Sequence, residues 1–384
     1  MNPKRPSVPA SSERDGGASD TAILTIDLDA LTANYRRLRD LASPAECAAV
    51  VKADAYGLGM AVAAPALARA GCKTFFVATL GEARALRALL PEPVIYVFAG
   101  LMPGTAEIYR AYNLRPVLNS AEEIAEWASF CAAQGEKLAC AVHIDSGMNR
   151  LGLSAEEVDR VAEARELWQA MTLTLVMSHL ACADEPRHPK SENQRQSFDR
   201  LRAKLPTALA SLANSAGILL GRAYAYDLVR PGIALYGGKP AREGDNPFQP
   251  VVHLKGRILQ VREVGAGETV GYGATHTLKR PSRVAVVSVG YADGFFRSLS
   301  HKEGQEGFVV YLGAHAAPIL GRVSMDLITV DVTAVPEDIS RRGAWVELIG
   351  PNVPAQTLAH HAGTIDYEVL TNLGRRAFRR YIGG

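Results

Sequence analysis

The residues of this chain that could do chemistry sit where apolar runs end. Lys52 ends CAAVV, and Asp145 ends CAVHI with Arg150 just beyond it. His179 ends LTLVMS, Asn214 and Ser215 end ASLA, and Arg230, Gly232 and Ile233 end YDLV. A lysine that follows a buried apolar run can lose its charge through desolvation, and its amine then becomes a nucleophile toward aldehydes. Small and hydroxyl residues after the last two strands of a parallel barrel are where such folds hold phosphate. Here those residues are Asn214, Ser215, Gly232 and Ile233. An amine nucleophile facing a phosphate site points to pyridoxal phosphate bound as a Schiff base. The blander alternative for Asn214 and Ser215 is that they simply terminate a strand.

The elements that must position these residues alternate. From Thr21 onward, short β-branched runs are separated by stretches with helical spacing. TAILTIDLD, residues 21–29, reads as a first strand. Eight more strands follow the first helix: CAAVVKADA, TFFVAT, VIYVFA, RPVLN, CAVHID, LTLVMSHL, ASLAN and YDLVRPGIALYG. Eight parallel β/α units are the count for a closed barrel. The runs are almost continuously apolar, as strands covered on both faces should be. An open doubly wound sheet is the competitor, but no GxGxxG follows the first strand. KPAREGDNPFQP, residues 239–250, reads as a linker, and beyond it strands dominate. The expected fold is α/β: a (β/α)8 TIM barrel over residues 21–245, then a mostly β C-terminal domain over 246–384.

At 384 residues the chain is long enough for two or three domains. Its net charge of +2 argues against a broad nucleic-acid surface. No apolar stretch is long enough to cross a bilayer, so no membrane partner is expected. Cys47, Cys72, Cys131, Cys140 and Cys182 are scattered, with no CxxC spacing. That fits reduced thiols packed as small hydrophobes, and neither disulfides nor a metal site. Residues 1–20 are rich in Pro, Ser, Gly and charge and lack the apolar core of a signal peptide. The expectation there is a disordered tail on a cytoplasmic protein.

AVVKADAYGLG at 49–59 is similar to the cofactor-lysine motif of the alanine racemases. HIDSGMNRLG at 143–152, SHLACADE at 178–185, LANSA at 212–216 and LVRPGIALYG at 228–237 match the same family in order. So do GYGATH at 271–276, VGYADGFFR at 289–297, GRVSMD at 321–326 and IDYEVLTNLGRR at 365–376. The resemblance implies a pyridoxal-phosphate barrel followed by a β domain, assembled as a homodimer with shared active sites. It also implies that strand 21–29 joins the C-terminal domain.

Carried over by motif, Lys52 resembles the lysine that bears the cofactor. Tyr56, Ser215, Gly232, Ile233 and Tyr367 resemble phosphate ligands, and Asn214 stands beside them. Arg230 resembles the arginine facing the pyridine nitrogen, with His179 bonded toward it. Arg150 resembles the contact to the cofactor's phenolic oxygen and to the substrate carboxylate. Tyr291 resembles a second catalytic base supplied by the partner subunit, and Met325 and Asp326 line the substrate entrance from that partner. The implied reaction interconverts L- and D-alanine by proton transfer at Cα between two bases, for peptidoglycan. A serine or broad-specificity racemase of the same fold is the alternative. One position departs from part of the family: some relatives carry a carbamylated lysine where this chain has His143.

Overall fold

The computed structural model describes residues 19–301 and 307–384. The tail expected over residues 1–20 therefore lies, apart from Ser19 and Asp20, outside the described residues. The chain forms two compact units, of which the larger holds residues 26–252, 349–373 and 381–384.

After β1 (Ala22–Asp27) come β2 (Glu46–Cys47), β3 (Ala49–Val50), β4 (Thr74–Val77), β5 (Val94–Val97), β6 (Arg115–Leu118), β7 (Ala139–His143), β8 (Thr172–Met177), β9 (Leu209–Ser211) and β10 (Leu228–Val229). Strands β3 to β9 pair in chain order, all parallel. β10 pairs in parallel with β2, and between β2 and β3 the Ala48 N–H still donates to Val229 O. At the other edge Arg230 N donates to Ala213 O, just past β9. These bonds close the ring, with β2 and β3 forming one interrupted strand. Phe75, Phe76, Val77, Ile95, Val97, Val117, Val142 and Leu175 are buried, which explains why the strands carry no polar alternation. Several of the helices between them start on side-chain caps. Thr79 and Ser154 each form a capping box, with Glu82 and Glu157.

The sequence reads residues 47–55 as one strand, but the strand ends at Val50. Ala53, Asp54, Ala55 and Tyr56 all take positive φ, between 54 and 56°, a left-handed turn built without glycine. Each such residue costs about 1–2 kcal/mol against its right-handed form. The turn is held from several sides. Ala53 N donates to Glu82 Oε1 at 2.6 Å, and Met60 N donates to Asp54 Oδ1 at 2.8 Å. The Tyr56 ring lies 4.7 Å from that of Tyr236. Gly57 closes the turn at φ 82°, where a Cβ would stand 2.5 Å from Leu370 O.

Among the described residues the smaller unit comprises 19–25, 253–301, 307–348 and 374–380. Its strands are β11 (Val252–Val264), β12 (Thr269–Val270), β13 (His276–Thr277), β14 (Ser282–Val287), β15 (Val309–Leu312), β16 (His315–Leu320), β17 (Ile328–Asp331), β18 (Trp345–Ile349) and β19 (Phe378–Ile382). The main sheet runs β14-β17-β16-β15-β18-β11-β1-β19, and β11 also pairs with β14. β1 thus lies in the C-terminal sheet. Residues 349–373 group with the barrel unit. They carry helices Ala355–Ala362 and Asp366–Thr371, and the backbone of the second packs on Gly57.

Candidate active site

At the carboxyl ends of the barrel strands lies a cavity of about 720 Å³, the size of a small-molecule site. The ten barrel-side candidates all line it: Lys52, Tyr56, Arg150, His179, Asn214, Ser215, Arg230, Gly232, Ile233 and Tyr367. For nine of them the common position follows from topology, since each lies in the segment that follows a parallel strand, whereas Tyr367 comes from helix Asp366–Thr371.

Lys52 sits at the entrance to the left-handed turn. Burial first, and then the charge of Arg150, lower its pKa, while Glu82 opposes them. Its amine is 5.9 Å from the centroid of the Phe98 ring. Arg230 is buried. Its terminal nitrogens donate to Ser211 Oγ and Ser178 O, and Nε has no hydrogen-bond partner. Burial pulls its pKa down to about 9, which still leaves it charged at neutral pH. No hydrogen bond joins His179 to Arg230 among the described residues, and the terminal guanidinium nitrogens of Arg230 donate to Ser211 and Ser178. His179 is fixed through its backbone, with Gln194 Nε2 donating to its carbonyl at 2.8 Å. Burial, then Arg230, hold its imidazole well below the ordinary histidine range, so it is neutral.

One wall of the cavity carries hydroxyls. Ser215 Oγ accepts from Gly232 N at 2.9 Å and from Ala234 N at 3.3 Å, which leaves its own proton free to donate. Tyr56 and Tyr367 are 6.2 Å apart, ring to ring, and burial raises both phenols. Gly232 is required beside them, since a Cβ there would lie 2.1 Å from the Tyr56 hydroxyl. Asn214 Oδ1 accepts from Gly217 N and caps the following turn. Asp145 also serves the backbone, accepting from the N–H groups of Gly147, Met148 and Asn149 and shaping the loop that delivers Arg150.

Tyr291, Met325 and Asp326 belong to the other unit, where they come together. Tyr291 N donates to Ser324 O and Ala292 N to Met325 O, both at 3.0 Å. Arg376 ties Asp326 to the buried Asp293. Tyr291 and Met325 are 42% and 53% exposed, high for such side chains. His143 also lines the cavity, with Asn119 hydrogen-bonded to it, and neither was named as a site residue. Asn119 ends RPVL, so the strand-end rule could have found it.

The donor set fits pyridoxal phosphate. The orphaned Arg230 Nε suits a pyridine nitrogen, the hydroxyl wall suits a phosphate, and Lys52 suits a carbonyl carbon.

The chain is similar to known proteins along most of its length. Residues 26–240 match the alanine racemase N-terminal domain, and residues 251–381 match the alanine racemase C-terminal domain. The chain is 52% identical to alanine racemase of Methylobacterium nodulans over 96% of its length and 98% of that protein. It is 47% identical to a catabolic alanine racemase of Mesorhizobium japonicum, covering 96% and 95% of the two chains. Alanine racemase from Bartonella henselae, solved with covalently bound pyridoxal phosphate, superposes with a TM-score of 0.90 at 42% identity, covering 94% of this chain and 99% of that one. The chain belongs to the alanine racemase family of pyridoxal-phosphate-dependent enzymes.

Proposed function

We propose that this chain interconverts L- and D-alanine through two bases, Lys52 and Tyr291, and that two copies of the chain share each site. The observation that carries the barrel half of this reading is the buried Arg230, whose Nε lacks a partner in the same cavity as a lysine of lowered pKa. Lys52 would hold the cofactor. Ser215, Tyr56, Tyr367 and the backbone at Gly232 and Ile233 would hold its phosphate, and Asn214 would cap the turn that presents Ser215. When bound, pyridoxal phosphate supplies an electron sink that acidifies Cα–H of an attached amino acid.

The residues of the chain then divide the work. Arg230, charged at neutral pH, offers a donor to the pyridine nitrogen and no proton to share with it. That keeps the sink weak and disfavours transamination. Arg150 would bind the substrate carboxylate as a cation. The Lys52 amine, made less basic by burial and by Arg150, exchanges the Cα proton on one face. The Tyr291 phenol does so on the opposite face, and Met325 and Asp326 border its approach. Racemisation needs two opposed bases, or one base that moves, and Lys52 is the base assigned here to the barrel cavity.

Exposed Tyr291 and Met325 on one unit, and exposed Ile365 and Leu151 at the cavity of the other, support a symmetric dimer that covers both. A cytoplasmic place and a supply of D-alanine for cell-wall peptidoglycan complete the reading. Borohydride treatment of the purified protein should fix the cofactor on the peptide bearing Lys52, and label on another lysine would overturn that assignment. Racemisation assayed across the amino acids should give alanine the highest kcat/KM.

A further inference from the structure

The turn that carries Tyr291 is held by two other segments of the smaller unit, and one side chain bridges all three. The segments are 290–294, which follows β14, 324–326, which precedes β17, and 374–376, which precedes β19. Tyr291–Asp293 is one short 3-10 turn, and the Asp293 carboxylate braces its start, Oδ2 accepting from Gly290 N at 2.9 Å. The second segment takes the turn's free N–H groups, Tyr291 N donating to Ser324 O and Ala292 N to Met325 O. The third lies against the turn's backbone. Gly374 N donates to Asp293 O at 2.9 Å, and a Cβ at Gly374 would stand 2.8 Å from Ala292 O.

Asp293 is buried, and a buried carboxylate needs a counter-charge. Arg376 supplies it through two donors, Nε to Oδ1 at 2.8 Å and Nη2 to Oδ2 at 2.6 Å. A two-pronged bond of this kind fixes both groups in one plane. The remaining nitrogen, Nη1, donates to Asp326 Oδ1 at 2.5 Å. Arg376 thus joins the Tyr291 turn to the segment carrying Met325 and Asp326. It belongs to the motif IDYEVLTNLGRR, which gave it no role in the sequence. The Tyr291 ring depends on this frame for its direction, since no hydrogen bond engages its hydroxyl among the described residues.

We propose that Arg376 is a positioning residue: by clamping Asp293 and Asp326 together it fixes the turn that aims the Tyr291 phenol. This rests on the reading of Tyr291 as the second base. Proton transfer is steep in distance, and a misplacement of about 1 Å costs on the order of a hundredfold in rate. Arg376 acts through the turn's own carboxylate, so its loss should disturb the Tyr291 face of the reaction and spare the Lys52 face.

In the assay, Arg376→Ala should lower kcat by roughly ten- to a hundredfold with cofactor affinity unchanged. The primary deuterium isotope effect on kcat/KM should rise for the alanine enantiomer whose Cα–H faces Tyr291. It should fall for the other, which gives its proton to Lys52 first and then waits for Tyr291. A variant that is merely less stable moves neither isotope effect, and that result overturns the proposal. Arg376→Lys keeps the charge without the two-pronged bond and should recover only part of the loss. Full recovery would assign the effect to charge alone and refute the positioning role. Where Arg376→Ala does not fold, Arg376→Lys carries the same isotope-effect readout. Asp293→Asn weakens the clamp while keeping an acceptor for Gly290 N, so combining it with Arg376→Ala should slow the enzyme no further than the worse single change. Additive losses would mean that Arg376 does not act through Asp293. Fluorine NMR of the holoenzyme labelled with 3-fluorotyrosine, assigned by Tyr291→Phe, reads the clamp directly. The Tyr291 signal should broaden or split in the Arg376 variants, and an unchanged signal refutes the clamp. If Tyr291→Phe racemises alanine as well as the wild type, the second-base reading fails, while the fluorine signal still judges the clamp.

Discussion

At the scale of single residues, the site is set by close approaches and by burial of titratable groups. The Tyr56 hydroxyl occupies the space beside Gly232 that any side chain would need. Gly232→Ala should therefore displace Tyr56 and weaken cofactor binding, seen as a higher cofactor concentration for half-saturation. Adding Tyr56→Phe removes the atom in the way and should restore part of the affinity, although the ring carbon at 2.9 Å keeps the rescue incomplete. A rescue no greater than zero would show that the clash is not the cause. His143 supplies a stability prediction. Its pKa falls from the usual 6.5 to about 4 in the folded chain. Between those values the unfolded chain binds a proton that the folded chain does not. Stability is fully present above about pH 6.5 and is lost as pH falls toward 4, by about 3 kcal/mol in all. Urea unfolding at about pH 7.5 and pH 5 should show a gap that shrinks by about 2 kcal/mol in His143→Gln. An equal gap in both proteins would place the acid sensitivity elsewhere.

At the scale of elements, the left-handed turn after β3 is the feature that aims Lys52, and Glu82 is its main external support. One carboxylate accepts from Ala53 N, Ala78 N and Thr79 N, so it joins the turn to the end of β4 and to the helix start. Glu82→Ala leaves strained backbone without its acceptor. We expect a loss of about 2–4 kcal/mol in stability together with a fall in kcat, whereas Glu166→Ala on an exposed helix face should change neither. Unchanged kcat in a destabilised Glu82→Ala protein would mean that the turn keeps its shape without the glutamate. This turn was not legible in the sequence. Left-handed backbone usually announces itself through glycine, and Ala53–Tyr56 has none; the conformation is imposed by Glu82, Tyr236 and Leu370, all distant along the chain. The eight barrel strands were legible, because burial on both faces writes itself as continuous apolar runs. Helix Asp366–Thr371 was read only as a motif, and its return to the barrel unit depends on packing that no local pattern encodes. The Asn119–His143 pair spans 24 positions and shows only as two polar strand ends.

At the scale of the whole molecule, the proposed two-base reaction requires Lys52 and Tyr291 to reach one substrate. They belong to different compact units, and among the described residues none of the smaller unit lines the cavity around Lys52. A two-fold dimer could set the smaller unit of each chain over the barrel cavity of its partner, giving two equivalent sites. Lys52→Ala and Tyr291→Phe homodimers should then both be nearly inactive in racemisation. A heterodimer of the two variants, co-expressed with different tags and purified through both, would contain one site with both defects and one intact site. Its activity should be about half that of the wild-type dimer, since one site in two is whole. If both bases came from the same chain, each site of the heterodimer would lack one of them and no activity would return. Cofactor content must be read alongside, because the Lys52→Ala chain loses its attachment point while the Tyr291→Phe chain keeps it. A heterodimer with one loaded site and no racemisation would reject the shared site and leave the barrel half of the mechanism in place. Recovery of activity in the mixed species, with neither homodimer active, is a result that only complementation across the dimer can produce.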